Sequence, residues 1–208
     1  MAQTHTTHPR KNDDGRIVTI QRPSQPTPLS AWADPTGLAT VVPGGPVPAA
    51  LNGVAFESWA DVPASPQGRE AQLQDEIPEP AFNPPHGLEA AAGVVIQEPD
   101  GRIWFVCPTN QFGGYTVTFP KGRQEAGVSL QATARIEAFE KSGLQVRLVR
   151  HLVDVSRTQT FTRYYLAERV GGTPSAMGWE SQAVMLVSQA QLEGLKLKAP
   201  DRLVLAAL

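Results

Sequence analysis

The chain is short of cysteine: Cys107 is the only one among 208 residues. An intramolecular disulfide is therefore excluded, and a lone thiol suits a reducing compartment. Charge of one sign is also scarce, with 18 Lys and Arg against 20 Asp and Glu. A net charge of -2 argues against a nucleic-acid partner held by bulk electrostatics. Long hydrophobic runs are missing, so nothing reads as a membrane span. The opening stretch MAQTHTTHPRKNDDG has no apolar core of a signal peptide. A soluble, cytoplasmic protein is the expectation. With 41% hydrophobic residues, the chain has enough material for an ordinary core.

Proline is unevenly distributed. Fourteen of the 19 prolines precede Leu88, as do five of the Lys and Arg and nine of the Asp and Glu. The first part is thus acidic and poor ground for long helices, and favours turns and extended segments. Residues 1–14 read as a disordered, polar tail in which His5 and His8 are solvated. Residues 15–62 read as a proline-rich unit containing strands. Arg16 to Gln21 alternates like a strand, Pro43-Gly44-Gly45-Pro46 is a turn, and Asn52-Gly53 is a two-residue hairpin signal. Trp32-Ala33-Asp34 recurs as Trp59-Ala60-Asp61, too short a match for a repeat. Residues 63–87 read as a linker with one helical turn around Arg69 to Leu73.

From residue 88 onward, elements follow one another closely. Ala91 to Gln97, Arg102 to Cys107 and Tyr115 to Phe119 read as strands, with a turn at Pro99-Asp100-Gly101. A glycine-bearing loop then leads at Ser129 into an amphipathic helix, which Gly143 terminates as a left-handed cap. Gln145 to Asp154 pairs with Thr160 to Glu168, and Ala183 to Val187 follows as a strand. Ser188, with Gln191 three positions on, has the pattern of a capping box, and a last helix runs from Asp201 to Leu208 after Pro200. Glu137 and Glu140 lie on one face of the first helix, where two carboxylates can share a divalent cation.

The order of residues from Gly122 to Leu144 resembles the Nudix box, Gly-x5-Glu-x7-Arg-Glu-U-x-Glu-Glu-x-Gly-U, where U is aliphatic. Gly122, Glu137, Glu140, Gly143 and Leu144 match it, and Phe119-Pro120-Lys121-Gly122 is a common lead-in. Val128, Ile136, Ala138 and Lys141 stand where the pattern has Glu, Arg, a larger aliphatic and Glu. The resemblance implies an α/β/α sandwich around a mixed sheet over residues 88–208, preceded by a proline-rich, β-containing extension.

The resemblance also implies a metal-dependent hydrolase of a nucleoside diphosphate linked to another moiety, such as ADP-ribose or a dinucleoside polyphosphate. Magnesium or manganese would be held by Glu137, Glu140, Glu180 and the carbonyl of Gly122. Glu137 would alternatively serve as the base that activates water, and Lys121 and Arg123 would hold phosphate oxygens.

Lys141 puts a cation where the family places a metal ligand. Four residues after Glu137, it can form an exposed helical ion pair worth about 0.3–0.5 kcal/mol. Alternatively, it acts as a fixed charge in place of one metal ion. The rival expectation is a non-catalytic module that binds a nucleotide or docks a protein, with the N-terminal unit mediating a homodimer or partner contact. Arg157 and Arg163 read as exposed hairpin arginines able to reach a second phosphate. Tyr164 and Tyr165 point to opposite faces. Trp32, Trp59 and Trp179 read as packing residues. Cys107 and His151 have no evident catalytic partner, and Glu125 reads as a solvated loop residue.

Overall fold

Alternating apolar side chains generate a sheet with two buried faces. The computed structural model of the chain describes residues 6–59 and 76–208. On β6 (Glu89–Ile96), Ala92, Val94 and Ile96 pack with Leu130, Ala134 and Ala138 of helix α1 (Leu130–Ser142). Val95, facing the opposite way as strand geometry requires, packs with Tyr164, Leu197 and Val204. Val204 belongs to helix α2 (Ala199–Ala206), so a helix covers each face.

The sheet itself is mixed. The edge strand β8 (Lys121–Arg123) runs antiparallel to β6, and β6 lies parallel to β10 (Thr160–Gly172). β10 in turn pairs antiparallel with β9 (Leu144–Ser156). A second, antiparallel sheet is ordered β3–β11–β7, from Leu38–Val41, Ser181–Val187 and Ile103–Pro108. The outcome is the expected α/β/α sandwich around a mixed sheet.

Both ends of α1 are set by local chemistry. The Ser129 hydroxyl accepts from the Ala132 amide at 3.1 Å, and Gly143 closes the helix at φ 73°. Asn52 and Gly53, both at positive φ, turn the hairpin between β4 (Ala50–Leu51) and β5 (Val54–Ala55).

The first part of the chain is structurally part of the sandwich. Strand β3 pairs with β11, and the buried Trp32 lies 5.8 Å from the Phe56 ring and 5.9 Å from Trp104. Arg169 joins the two parts: it donates to Glu98 at 2.6 Å and to the Leu51 carbonyl at 2.8 Å, with Phe56 against its guanidinium. Residues 6–14, expected as disordered tail, are ordered. Thr6–Thr7 (β1) pairs with Thr19–Ile20 (β2), the only part of the Arg16–Gln21 stretch that forms a strand. His8 is buried rather than solvated and accepts from the Arg10 amide, and burial lowers its pKa.

Residues 76–87, assigned to the linker, partly strap the domain. Gln131 exchanges two hydrogen bonds with the backbone of Ile77, and Glu79 accepts from Tyr165 Oη. His5, Ala60, Asp61, the Arg69–Leu73 turn and the rest of the linker through residue 75 lie outside the described residues.

Three further expectations change. Within Tyr115 to Phe119 only Thr118 pairs, with Val106, because the chain bends at Thr116 and Val117. Ser188 caps no helix; its hydroxyl donates to the Thr36 carbonyl at 2.7 Å, and Gln189–Gly194 forms a 3₁₀ turn. The last helix begins earlier than expected, with Pro200 in its first turn, and ends at Ala206.

Removing one member of a buried ion pair strands the other. Arg169→Met should therefore cost about 3–5 kcal/mol in urea unfolding. Pairing it with Glu98→Leu should recover most of that loss.

Candidate functional site

Edge strand β8 and helix α1 meet at a point where no side chain would fit. A Cβ on Gly122 would lie 1.9 Å from Glu137 Oε1, so the carboxylate rests directly on the backbone of the strand. Glu137 is mostly buried, at 13% side-chain exposure. Its Oε2 makes no hydrogen bond but lies 3.3 Å from Lys141 Nζ. The same ammonium donates to Glu180 Oε2 at 2.5 Å. Lys141 is itself only 17% exposed, so the Glu137–Lys141 contact is a buried bridge rather than the exposed pair anticipated as one alternative.

Glu180 reaches this point from the turn before β11 and remains 44% exposed. The Glu140 main chain is fixed by the Gly178 amide, which donates to its carbonyl at 2.7 Å. Its carboxylate is close enough to repel charge on Glu137.

Glu137 thus lies among one ammonium and two further carboxylates. Burial is the largest influence on Glu137, and it combines with Glu140 and Glu180 to raise the pKa to about 7 despite Lys141. For Lys141, burial opposes the charge, but Glu137 and Glu180 outweigh it and raise the pKa. The ammonium therefore stays charged, while burial favours the neutral acid at Glu137.

The expected phosphate-binding residues diverge. Strand alternation turns Lys121 to the face of β8 opposite Gly122, where its Nζ lies 5.0 Å from the Tyr115 ring centroid. Burial, reinforced by Arg157, lowers its pKa to about 8. Arg123 is 58% exposed, pairs with Glu89 at 2.6 Å and donates to Gln159.

The hairpin arginines are not exposed. Arg157 pairs with the buried Asp201 and donates to Tyr164 Oη, while Arg163 is held bidentately by Asp154 at 2.8 Å. Tyr164 and Tyr165 occupy opposite core clusters, and neither is available to a base. Trp32 is core, Trp59 packs edge-on against Phe139, and Trp179 donates to Asp13 at 3.0 Å. His151 contacts Asp154 at 3.1 Å. Cys107 is buried, which pushes its thiol up to about 12, and Glu125 is exposed. Tyr115 and Lys198, neighbours of Lys121, gave no signal because the fold alone brings them together.

For a divalent ion, the donor set is divided. Hard carboxylate oxygens suit magnesium or manganese, and the unsatisfied Glu137 Oε2 is a ready donor. An ion shared by Glu137 and Glu180 does not fit, since Lys141 bridges those two. Among the described residues, no three Asp, Glu, His or Cys side chains form a metal-binding group.

The NUDIX domain family matches residues 87–208. An RNA pyrophosphohydrolase of Caulobacter vibrioides (strain NA1000 / CB15N) is 34% identical over 92 residues, covering 43% of this chain. The chain spans about half the length of that relative, 50%. Among solved structures, a NUDIX hydrolase from Nitrosomonas europaea is similar over 56% of this chain and 68% of its own, with 16% identity and a TM-score of 0.48. An ADP-ribose pyrophosphatase from Streptococcus suis 89-1591 is similar over 57% and 90%, with 19% identity and a TM-score of 0.46.

Two outcomes follow from the packing of Glu137. Gly122→Ala should displace its carboxylate, and a double-mutant cycle with Glu137→Ala in urea should give a coupling of roughly 0.5–3 kcal/mol. A folded pKa raised above 4.5 means that the neutral acid suits the fold better. That contribution is complete below pH 4.5 and lost as the pH rises through about 7. The stability of Glu137→Gln relative to wild type should therefore increase across this window in urea melts at stepped pH.

Proposed function

Because this chain belongs to the Nudix family, we propose that it hydrolyses the phosphoanhydride of a nucleoside diphosphate linked to another moiety, such as ADP-ribose or a dinucleoside polyphosphate. The products would be a nucleoside monophosphate and a second phosphate ester. The observation that carries this reading is the Glu137 carboxylate seated on Gly122, with Lys141 linking it to Glu180. With its pKa near 7, Glu137 can take a proton from an attacking water at neutral pH. Lys141 supplies fixed positive charge beside the site, in a setting of low polarity where such charge counts most. Lys121 lies one residue from Gly122 and serves the phosphates better than Arg123, which Glu89 engages.

Nudix hydrolases generally use divalent ions. Here magnesium or manganese would be held by Glu140 with the Gly122 carbonyl, Glu137 being either a second ligand or the base, and would neutralise phosphate charge and acidify a bound water. The name of the Caulobacter relative, RNA pyrophosphohydrolase, extends the substrate class to a pyrophosphate carried by RNA. The single buried cysteine suits a reducing, cytoplasmic setting.

A second reading is favoured by Lys141 itself. Its contacts to two carboxylates offset part of their charge without a metal, as a nucleotide-binding module without turnover would require. Incubation of the folded protein with ADP-ribose, dinucleoside polyphosphates and 5′-pyrophosphorylated RNA, with magnesium or manganese, separates the readings. Chromatography should reveal a monophosphate product, and Glu140→Gln should lower kcat/KM by about 100-fold or more. If the ligands stay intact while calorimetry shows EDTA-insensitive binding, hydrolysis is wrong and the binding module stands.

A further inference from the structure

The start of the chain closes on the turn that carries Glu180. Gln182 and Asn110 make the junction between this turn and the β1–β2 hairpin. Gln182 Nε2 donates to the Arg22 carbonyl and the Ser24 hydroxyl, each at 2.9 Å, and its Oε1 accepts from the Asn110 amide at 2.9 Å. Asn110 reaches the hairpin itself. Its Nδ2 donates to the Thr19 carbonyl at 2.9 Å, and its Oδ1 accepts from the Gln21 amide at 2.8 Å. Trp179 adds a third tie by donating to Asp13 at 3.0 Å. The buried ring of His8 lies against the backbone of Gly178 and Ser181.

The inner side of the same turn is fixed to the site. The Gly178 amide donates to the Glu140 carbonyl at 2.7 Å, and the Glu180 carbonyl accepts from the Thr109 amide at 2.8 Å. The Thr109 hydroxyl donates to the Trp179 carbonyl at 2.7 Å. With 44% of its side chain exposed, Glu180 is not held by burial, so its place against Lys141 depends on the backbone of the turn.

The conformation of the junction points the same way. Asn110 and Gln111 are both left-handed, at φ 54° and 56°, a backbone that persists only where its surroundings over-determine it. The three bonds of Asn110 supply that constraint. Neutral hydrogen bonds each add little net stability, so their convergence on one turn argues for placement more than for stability.

We propose that the N-terminal hairpin is a working part of the site, with Asn110 and Gln182 as positioning residues through which it holds Glu180 against Lys141. This deepens the proposed function, on which its kinetic test alone rests.

Amide hydrogen exchange on the full chain, followed by NMR, tests the coupling without substrate. Asn110→Gly keeps the left-handed backbone but removes both side-chain bonds to the hairpin. The Gln21 amide should then exchange faster, and the Gly178 amide should follow by at least about tenfold. Faster exchange at Gln21 with Gly178 unchanged would overturn the proposal. Asp13→Ala severs the Trp179 tie from the hairpin side and should speed Gly178 in the same direction. If Asn110→Gly fails to fold, an unchanged Gly178 in Asp13→Ala overturns the proposal instead. Ile17→Ser alters an exposed residue of the hairpin and should leave Gly178 unchanged. An equal effect there would mark general loosening and also overturn it. In turnover, Asn110→Gly should lower kcat by about tenfold or more with KM within about threefold, since misplaced charge slows the chemical step. An unchanged kcat, with or without a raised KM, would overturn the positioning role. If wild type cleaves no substrate, the proposed function falls and the exchange result alone decides whether the hairpin holds the turn.

Discussion

Position 122 must have no side chain. Glu137 occupies the volume where a Cβ would sit, and that contact lets α1 lie close against the edge of the sheet. The small residues Ala134 and Ala138, beside Glu137 on the helix, let it press closely onto β6. A mostly buried carboxylate held against a backbone is poorly hydrated, so protein or a proton must meet much of its charge. Lys141 meets part of it, and burial, with Glu140 and Glu180, raises the pKa of Glu137 toward the neutral acid.

This balance defines the chemistry of the site. An ammonium four residues along a helix from a glutamate contributes little at a surface. Here it is buried and reaches a second carboxylate from another element, so losing it would leave Glu137 and Glu180 facing each other beside Glu140. Lys141 thus joins α1 to the turn before β11, as an ion shared between those carboxylates would. The sheet edge then separates two electrostatic zones. Carboxylates with one ammonium face α1, while ammoniums around Tyr115 face α2.

Much of the second part of the chain was legible because its signals are local. Ser129 and Gly143 bracket the helix through their own caps, and alternating runs mark β6, β7 and β11. The Glu137–Lys141 spacing was visible too, but its burial was not, because burial depends on Gly122 and on a turn elsewhere in the chain. The same reason hid the cations on Tyr115, which come from three separate elements. Arg157 and Arg163 read as exposed because their partners, Asp201 and Asp154, are paired only by folding. The pairing of the first part was not legible, because proline hides strands that borrow a partner. Strand β3 and Trp32 gain their role from β11 and Trp104, which lie much later in the chain.

The central claim is that Lys141 occupies the place of a cation between Glu137 and Glu180. Titration of manganese by electron paramagnetic resonance, on wild type and Lys141→Glu at matched pH and salt, tests it most directly. The account predicts that the variant binds manganese at least about tenfold more tightly, since a repelling charge becomes a ligand. Equal affinity in the two proteins, with both folded, would contradict it.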